Sequence, residues 1–329
     1  MTLSSPSGTI GNHMDKETAR QSLTQSPLRI GISTRALFDL DEEHRIFESE
    51  GVAAYAAWQR EHEDEVLSKG TAFHVVERIL ALNDDPRHPY VEVVLMSRNS
   101  PDLSLRAFSS IEAYGLNVKL GSFTSGRSLA PYIPAWNIDL FLSNDVSDVQ
   151  AAAIAGTAAA KLGSPPTDLR DAAKDGEVRI AFDGDAVLFS AESDLVYKTQ
   201  GLVGFLQHEV ENAMKPMDAG PFGDFLKKLS KLRTIHLNDK GVSKVRICIV
   251  TARNAPAHAR VVHTFRAWGT PADEAHFVGP NSKAPILQAM GAHIFFDDQE
   301  KHVLGAAGLV PAGHVPGPHT ADEPVIPAG

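Results

Sequence analysis

The sequence predicts an α/β protein made of two Rossmann-like units with largely parallel sheets, and three observations predict it. Short apolar runs bounded by turn residues alternate with stretches of helical period through most of the chain. The elements recur at a shift of about 150 residues, a period that points to a duplicated domain and not to a short solenoid unit. Several of the apolar runs end in carboxylates or hydroxyls, as strands do when they deliver chemistry to the edge of an open sheet.

In order along the chain, strands are expected at 28–33, 91–96, 138–142, 178–183, 245–251 and 293–297, each a run rich in Val, Ile, Leu or Phe. Helices are expected at 47–65, 71–83, 103–114, 146–162, 201–213, 222–233, 257–268 and 283–291. The two halves match segment by segment: 28–38 with 178–188, 93–101 with 248–256, 112–115 with 266–269, 128–131 with 282–285, and 138–145 with 292–299. Gly51 and Gly70 match Gly201 and Gly220, each opening a helical stretch. The differences fall on the polar ends. Asp183 faces Ser33, Asp185 faces Arg35, Thr251 faces Met96 with Ser97 beside it, Lys283 faces Leu129, and Asp297-Asp298 faces Ser143-Asn144. The first unit keeps the scaffold and lacks the acids, so the chemistry is expected in the second.

With 329 residues, 43% of them hydrophobic, the chain can bury a full core. A net charge of -10 without clustered Lys and Arg excludes a nucleic-acid surface and points to small-molecule partners. The single cysteine, Cys248, lies inside an apolar strand, which rules out a disulfide framework and suits a reducing compartment. No run approaches membrane-spanning length and the N-terminus lacks a signal-peptide pattern, so the expected location is cytoplasmic. The division expected is a flexible arm at 1–27, an acid-free unit at 28–165, a catalytic unit at 166–317 with a cap insertion at about 190–242, and a flexible tail at 318–329. Composition leaves the oligomeric state open, a homo-oligomer included.

The second unit presents, in order, Asp183-Gly184-Asp185, Thr251, Lys283 and Asp297-Asp298, each ending or following a strand. A carboxylate attacks a phosphoryl group only when the repulsion between anions is cancelled, and a hard divalent cation such as Mg²⁺, held by a few carboxylates, does so. Asp183 then suits a nucleophile and Asp185 a general acid and base, with Gly184 allowing the tight turn between them. Thr251 would hydrogen-bond a phosphoryl oxygen and Lys283 would neutralise the charge that spreads over it. Asp183 and one or both of Asp297 and Asp298 would hold the metal, Asp185 adding its backbone carbonyl. An isolated Asp-Gly-Asp is more often a turn, and the weight lies in the order of all four features.

That order resembles the haloacid-dehalogenase-like phosphohydrolases. More closely, AFDGDAVLFSAESD, VTARNAPAHAR and HIFFDDQEKHV, with LFDLDEEHRIFESEGV, QREHEDE and MSRNSPD in the first unit, resemble the cytosolic 5'-nucleotidase I family, from about Leu28 to about Gly317. Val187, two residues after Asp185, stands where the superfamily's first motif has Thr or Val. The resemblance implies a haloacid-dehalogenase-like second unit with a helical cap, and Mg²⁺-dependent hydrolysis of a nucleoside 5'-monophosphate, typically AMP, through an aspartyl-phosphate. On motif match Asp183 is the nucleophile, Asp185 the acid/base, Thr251 the phosphate-binding hydroxyl, Lys283 the charge stabiliser, and Asp297 and Asp298 the metal-side acids. The motifs prescribe phosphoryl chemistry without naming the leaving group, which keeps a sugar phosphatase in view, and a non-catalytic nucleotide sensor is the rival of another class.

Weaker candidates surround the centre. Arg253 and Asn254 either touch substrate or cap the next helix, and Phe189 either reads the nucleoside or is core. Ser33, Arg35, Ser97 and Asn99 form a substrate-side wall, an effector pocket or a vestigial surface. His62 and His208, amid acids at no metal spacing, read as members of solvated helix faces.

Overall fold

A computed structural model describes residues 14–167 and 176–317. The first half runs α1 (Lys16–Gln25), β1 (Leu28–Ser33), α2 (Thr34–Leu37), β2 (Phe38–Asp39), α3 (Asp41–Glu61), β3 (Ser68–Lys69), α4 (Phe73–Leu80), β4 (Val91–Ser97), α5 (Asp102–Ala113), β5 (Leu120–Phe123), α6 (Tyr132–Ala135), β6 (Leu140–Ser143), α7 (Val146–Ile154) and β7 (Ala158–Leu162). The second runs β8 (Val178–Phe182), α8 (Glu192–Glu211), α9 (Gly223–Ile235), β9 (Val245–Thr251), α10 (His258–Trp268), β10 (Glu274–Phe277), α11 (Ala284–Met290), β11 (Ile294–Asp297), α12 (Glu300–Ala307) and β12 (Ala312–His314).

Ten of these strands form one sheet in the order β10-β9-β8-β11-β12-β7-β6-β1-β4-β5. Within each half of this sheet every pairing is parallel, as connections through helices require, the halves meet at the antiparallel pair β12–β7, and β2 and β3 pair antiparallel in a small sheet of their own. Strand order in one half is the reverse of the other, so the halves are related by a pseudo-two-fold axis through the junction. The expected α/β class with largely parallel pairing holds; what the sequence did not foresee is that both units share one sheet. One apolar cluster on one face joins Ile30, Ile32 and Val76 of the first half to Ile180, Phe182 and Phe225 of the second. On the other face each half keeps its own cluster, around Phe141 and around Phe295.

Three expectations need correction. The helix expected at 146–162 stops at Ile154, and Ala158–Leu162 form the central strand β7. Alanine favours helices in isolation, but the junction needs small side chains: a Cβ on Gly313 of β12 would stand 2.9 Å from the Cβ of Ala160. Strands β5, β10 and β12 lie in segments with no strand expected. The arm expected at 1–27 contains α1, capped by Asp15, whose carboxylate accepts from Thr18 N at 2.9 Å. Helix α1 buries Ala19 and Leu23 and is tied towards α9 by Lys231 Nζ donating to Ser22 Oγ at 2.9 Å. Its mean composition is polar, and tertiary contact supplies its stability. Residues 1–13 and the tail expected at 318–329 lie outside the described residues.

Helix α9, inside the segment expected to be cap, buries Phe225, Leu226, Leu229 and Leu232 in the core shared by both halves, so the covering element of the second half is α8. Both α3 and α8 are broken at equivalent points by left-handed glycines, Gly51 at φ 84° and Gly201 at φ 68°. Gly70 and Gly220 likewise share a constraint, since a Cβ would meet backbone at 2.8 and 2.3 Å respectively.

Cys248 in β9 is fully buried, and burial pushes its thiol up to about 12. Iodoacetamide at pH 8 is therefore expected to leave the native chain unmodified and to alkylate one site per chain in urea. Native labelling at the denatured rate would contradict this packing.

Candidate active site

Strand β8 is buried on both faces and hands its chain to Asp183, whose N–H makes one more ladder bond, to the carbonyl of Phe296 in β11 at 2.8 Å. This fixes Asp183 beside the end of β11, where Asp297 and Asp298 emerge. Carboxylate oxygens of Asp183, Asp297 and Asp298 lie within 4.8 Å of one another. Lys283, at the N-terminal edge of α11, donates to Asp183 Oδ1 and Asp297 Oδ2, both at 2.6 Å, and is itself buried.

One ammonium does not balance three clustered carboxylates, two of them buried and that of Asp298 half-buried. Burial raises Asp183 to about 6, with Lys283 pulling it down and Asp297 and Asp185 pushing it up. Asp298 is raised to about 8, first by burial and then by Asp183 and Asp297. Burial opposes charge on Lys283, but its two carboxylate partners more than offset this and hold its pKa above the usual value. Asp298 Oδ1 is buried and has no hydrogen-bond partner among the described residues. An orphaned carboxylate oxygen beside two others, in an all-oxygen donor set, fits a hard divalent cation.

Between Asp183 and the core the chain turns sharply. The Gly184 carbonyl accepts from Leu188 N at 3.0 Å and Phe189 N at 2.9 Å, and Ala186 sits at φ 59°, a left-handed conformation unusual for a residue with a side chain. A methyl on Gly184 would stand 3.2 Å from the Phe189 ring and 3.4 Å from Thr251 Oγ1, so glycine keeps this turn close to Thr251. The equivalent stretch of the first half, α2, is a plain helical turn capped by Ser33 Oγ on Ala36 N at 3.1 Å.

Above the turn lies a buried ion network. Arg253 donates to both oxygens of Asp185 at 2.7 Å and to Glu209 of α8, and stacks 5.4 Å from the Phe205 ring. Glu209 also accepts from Ser193 Oγ at 2.7 Å and from Arg260 at 3.1 Å, while Arg260 reaches Glu192 at 3.2 Å. Burial pushes the Glu209 carboxyl up, and Arg253 and Ser193 more than offset it, leaving it below its usual value.

The structure thus brings Asp183, Lys283, Asp297 and Asp298 together, with Thr251 against Gly184 and Asp185 tied to Arg253. It does not bring Ser33, Arg35, Ser97 and Asn99 to them. These four line a cavity at the strand ends of the first half, and the antiparallel junction turns those ends to the opposite edge of the sheet. Phe189 is core, fully buried and packed 5.4 Å from Phe265 and 5.6 Å from Trp268. Asn254 is exposed and its carbonyl accepts from His258 N at 3.0 Å, but the N-cap of α10 is Ala257 and no side chain caps it. The facing of Thr251 with Met96 shifts by one: Ser97 ends β4 as Thr251 ends β9, its Oγ accepting from Asn99 N at 3.2 Å as Thr251 Oγ1 accepts from Arg253 N at 3.3 Å.

Sequence reading missed Glu209. It assigned its helix face to solvent, yet Glu209 is 1% exposed and Gln59, its counterpart, 3%. His62, half-buried, stacks on Trp58 at 3.8 Å, and His208 contacts Arg260 at 3.1 Å. The usable signal was the repeat itself: Arg106 of the first half donates to Glu43 at 2.9 Å, Gln59 at 3.1 Å and the Glu65 carbonyl at 3.0 Å, as Arg260 does to Glu209 and the Lys215 carbonyl.

A family model described as 5'-nucleotidase matches residues 20–322. Human cytosolic 5'-nucleotidase 1B is 35% identical over 294 residues, which are 87% of this chain and 48% of that protein. The chain therefore spans about half the length of that relative. No solved structure matches the chain.

Removing one member of a buried ion network leaves its partners charged and unpaired. Glu209→Ala is expected to cost about 3 kcal/mol in urea unfolding, against about 1 kcal/mol for Gln59→Ala, which removes a neutral acceptor. Equal costs would contradict the network as described.

Proposed function

Because the chain belongs to the 5'-nucleotidase family, we propose that it hydrolyses nucleoside 5'-monophosphates, AMP foremost, to nucleoside and phosphate, in the cytoplasm and with Mg²⁺. The observation that carries this reading is the cluster of Asp183, Asp297 and Asp298 bound together by Lys283 at the ends of adjacent strands. The name of the human relative, a cytosolic 5'-nucleotidase, supports the substrate class. Among the described residues no helix is long and apolar enough to cross a membrane.

In this mechanism an Asp183 carboxylate oxygen attacks phosphorus in line with the ester oxygen. The P–O5' bond breaks, Asp185 gives its proton to the leaving oxygen, and the nucleoside departs. Water then attacks the aspartyl-phosphate, Asp185 takes its proton, and cleavage of the P–O bond returns Asp183 and releases phosphate. Lys283 orients Asp183 through its 2.6 Å bond and stays close to the charge that develops on the phosphoryl oxygens. Thr251 offers a hydroxyl to one of these oxygens. Asp183, Asp297 and Asp298 would hold Mg²⁺, which when bound screens the repulsion between carboxylate and phosphate dianion. Both Asp185 oxygens accept from Arg253 in the resting chain, so the acid step requires the guanidinium to release one of them.

Phosphate release from AMP, other nucleoside monophosphates and sugar phosphates, with Mg²⁺ or EDTA, tests this reading. Release from AMP that needs Mg²⁺ and falls on the order of 10³-fold or more in Asp183→Asn is expected. Release from sugar phosphates alone would overturn the substrate and keep the mechanism. Nucleotide binding with no release would overturn the hydrolase in favour of a sensor.

A further inference from the structure

We propose that the cavity at the strand ends of the first half is a second ligand site, which takes a nucleoside phosphate and holds it without hydrolysis. The cavity has a volume of about 460 Å³, within the range of small-molecule sites. It occupies the place that the pseudo-two-fold axis assigns to the catalytic centre, but on the opposite edge of the sheet.

Its existence has a cause in single side chains. In the second half the Arg253 guanidinium fills the space beneath Phe205. At the equivalent places stand Asn99, too short to fill that space, and Tyr55, which lines the cavity and sits four residues after Gly51 as Phe205 does after Gly201. The covering helix is nevertheless held down as firmly as its twin, by buried Arg106 on Glu43 and Gln59. A degenerate half kept only by packing would be expected to collapse into this space; here it stays open under a fixed lid.

The lining matches a ligand with an anionic end and hydroxyl or amine donors. Arg35 and Arg98 supply positive charge at the cavity: Arg35 pairs with Asp41 at 3.3 Å, and Arg98 donates to Ser147 Oγ at 3.2 Å and lies 3.9 Å from Asp145 and 3.8 Å from Asp148. Those two carboxylates are acceptors for ribose hydroxyls or a base amine, and they disfavour a bare anion. Two buried polar atoms of the lining have no hydrogen-bond partner among the described residues: Thr34 Oγ1, on a residue 1% exposed, and Asn144 Oδ1, whose amide is oriented by donation to the Leu162 and Gly163 carbonyls at 3.2 and 3.3 Å. Hydrolysis is absent because Ser33 stands for Asp183, Leu129 for Lys283, and Ser143 and Asn144 for the acidic pair.

The test is equilibrium dialysis of AMP against the full chain carrying Asp183→Asn, in EDTA, so that turnover plays no part. One equivalent is expected to depend on the first half: Arg35→Gln with Arg98→Gln weakens it at least tenfold, whatever binds at the second half. Adenosine and inorganic phosphate are expected to bind that equivalent at least tenfold more weakly than AMP. Thr34→Val, which exchanges a hydroxyl for a methyl, gives a milder loss of about threefold and serves if the double variant does not fold. Absence of any such equivalent, or binding unchanged in a folded variant, overturns the site. Since no hydrolysis is measured, that failure would leave the proposed nucleotidase reaction untouched.

Discussion

The arrangement at the strand ends of the second half depends on one shared hydrogen-bond donor. Lys283 bridges Asp183 and Asp297 at 2.6 Å each, and without it the ends of β8 and β11 would present two buried carboxylates and the half-buried Asp298 to one another. In a low-dielectric interior that repulsion is severe. The lysine makes the strand pairing tolerable, fixes which oxygen of each carboxylate is engaged, and leaves Asp298 unsatisfied. The site is thereby short of positive charge, and its all-oxygen donor set fits a hard divalent cation.

A second constraint comes from the junction. Parallel strands need helical crossovers, whereas β7 and β12 meet antiparallel and join two crossover units edge to edge. That pairing turns the strand C-termini of the halves to opposite edges, so the site-bearing ends cannot combine into one pocket. The small residues of β7 and Gly313 let the two sheets merge, and one apolar cluster on the shared face makes the halves mutually dependent for their core.

Covering helices connect to chemistry through arginine. In the second half Arg253 and Arg260 tie α8 to Asp185 by way of Glu209. The first half repeats the Arg260 anchor as Arg106 but has no counterpart to the Arg253 bridge. One half thus holds its acid under a closed lid and the other holds an open cavity.

The sequence by itself determined the α/β class, six of the ten strands of the large sheet, the duplication and the order of Asp183, Asp185, Thr251, Lys283 and the Asp297-Asp298 pair. These are legible because strand periodicity and residue order are local properties of the chain. Tertiary structure decided what depends on partners distant in sequence. Ala158–Leu162 became a strand because β6 and β12 flank it and pair with its backbone on both sides, with Ala160 leaving room for the close approach of Gly313. The polar segment before Pro27 became a helix because α9 offers it a surface. Glu209 entered the interior because two arginines neutralise it there. Ser33, Arg35, Ser97 and Asn99 left the catalytic edge because a single antiparallel pairing reverses the first half. Burial, charge pairing and strand direction are sums over contacts that no single segment encodes.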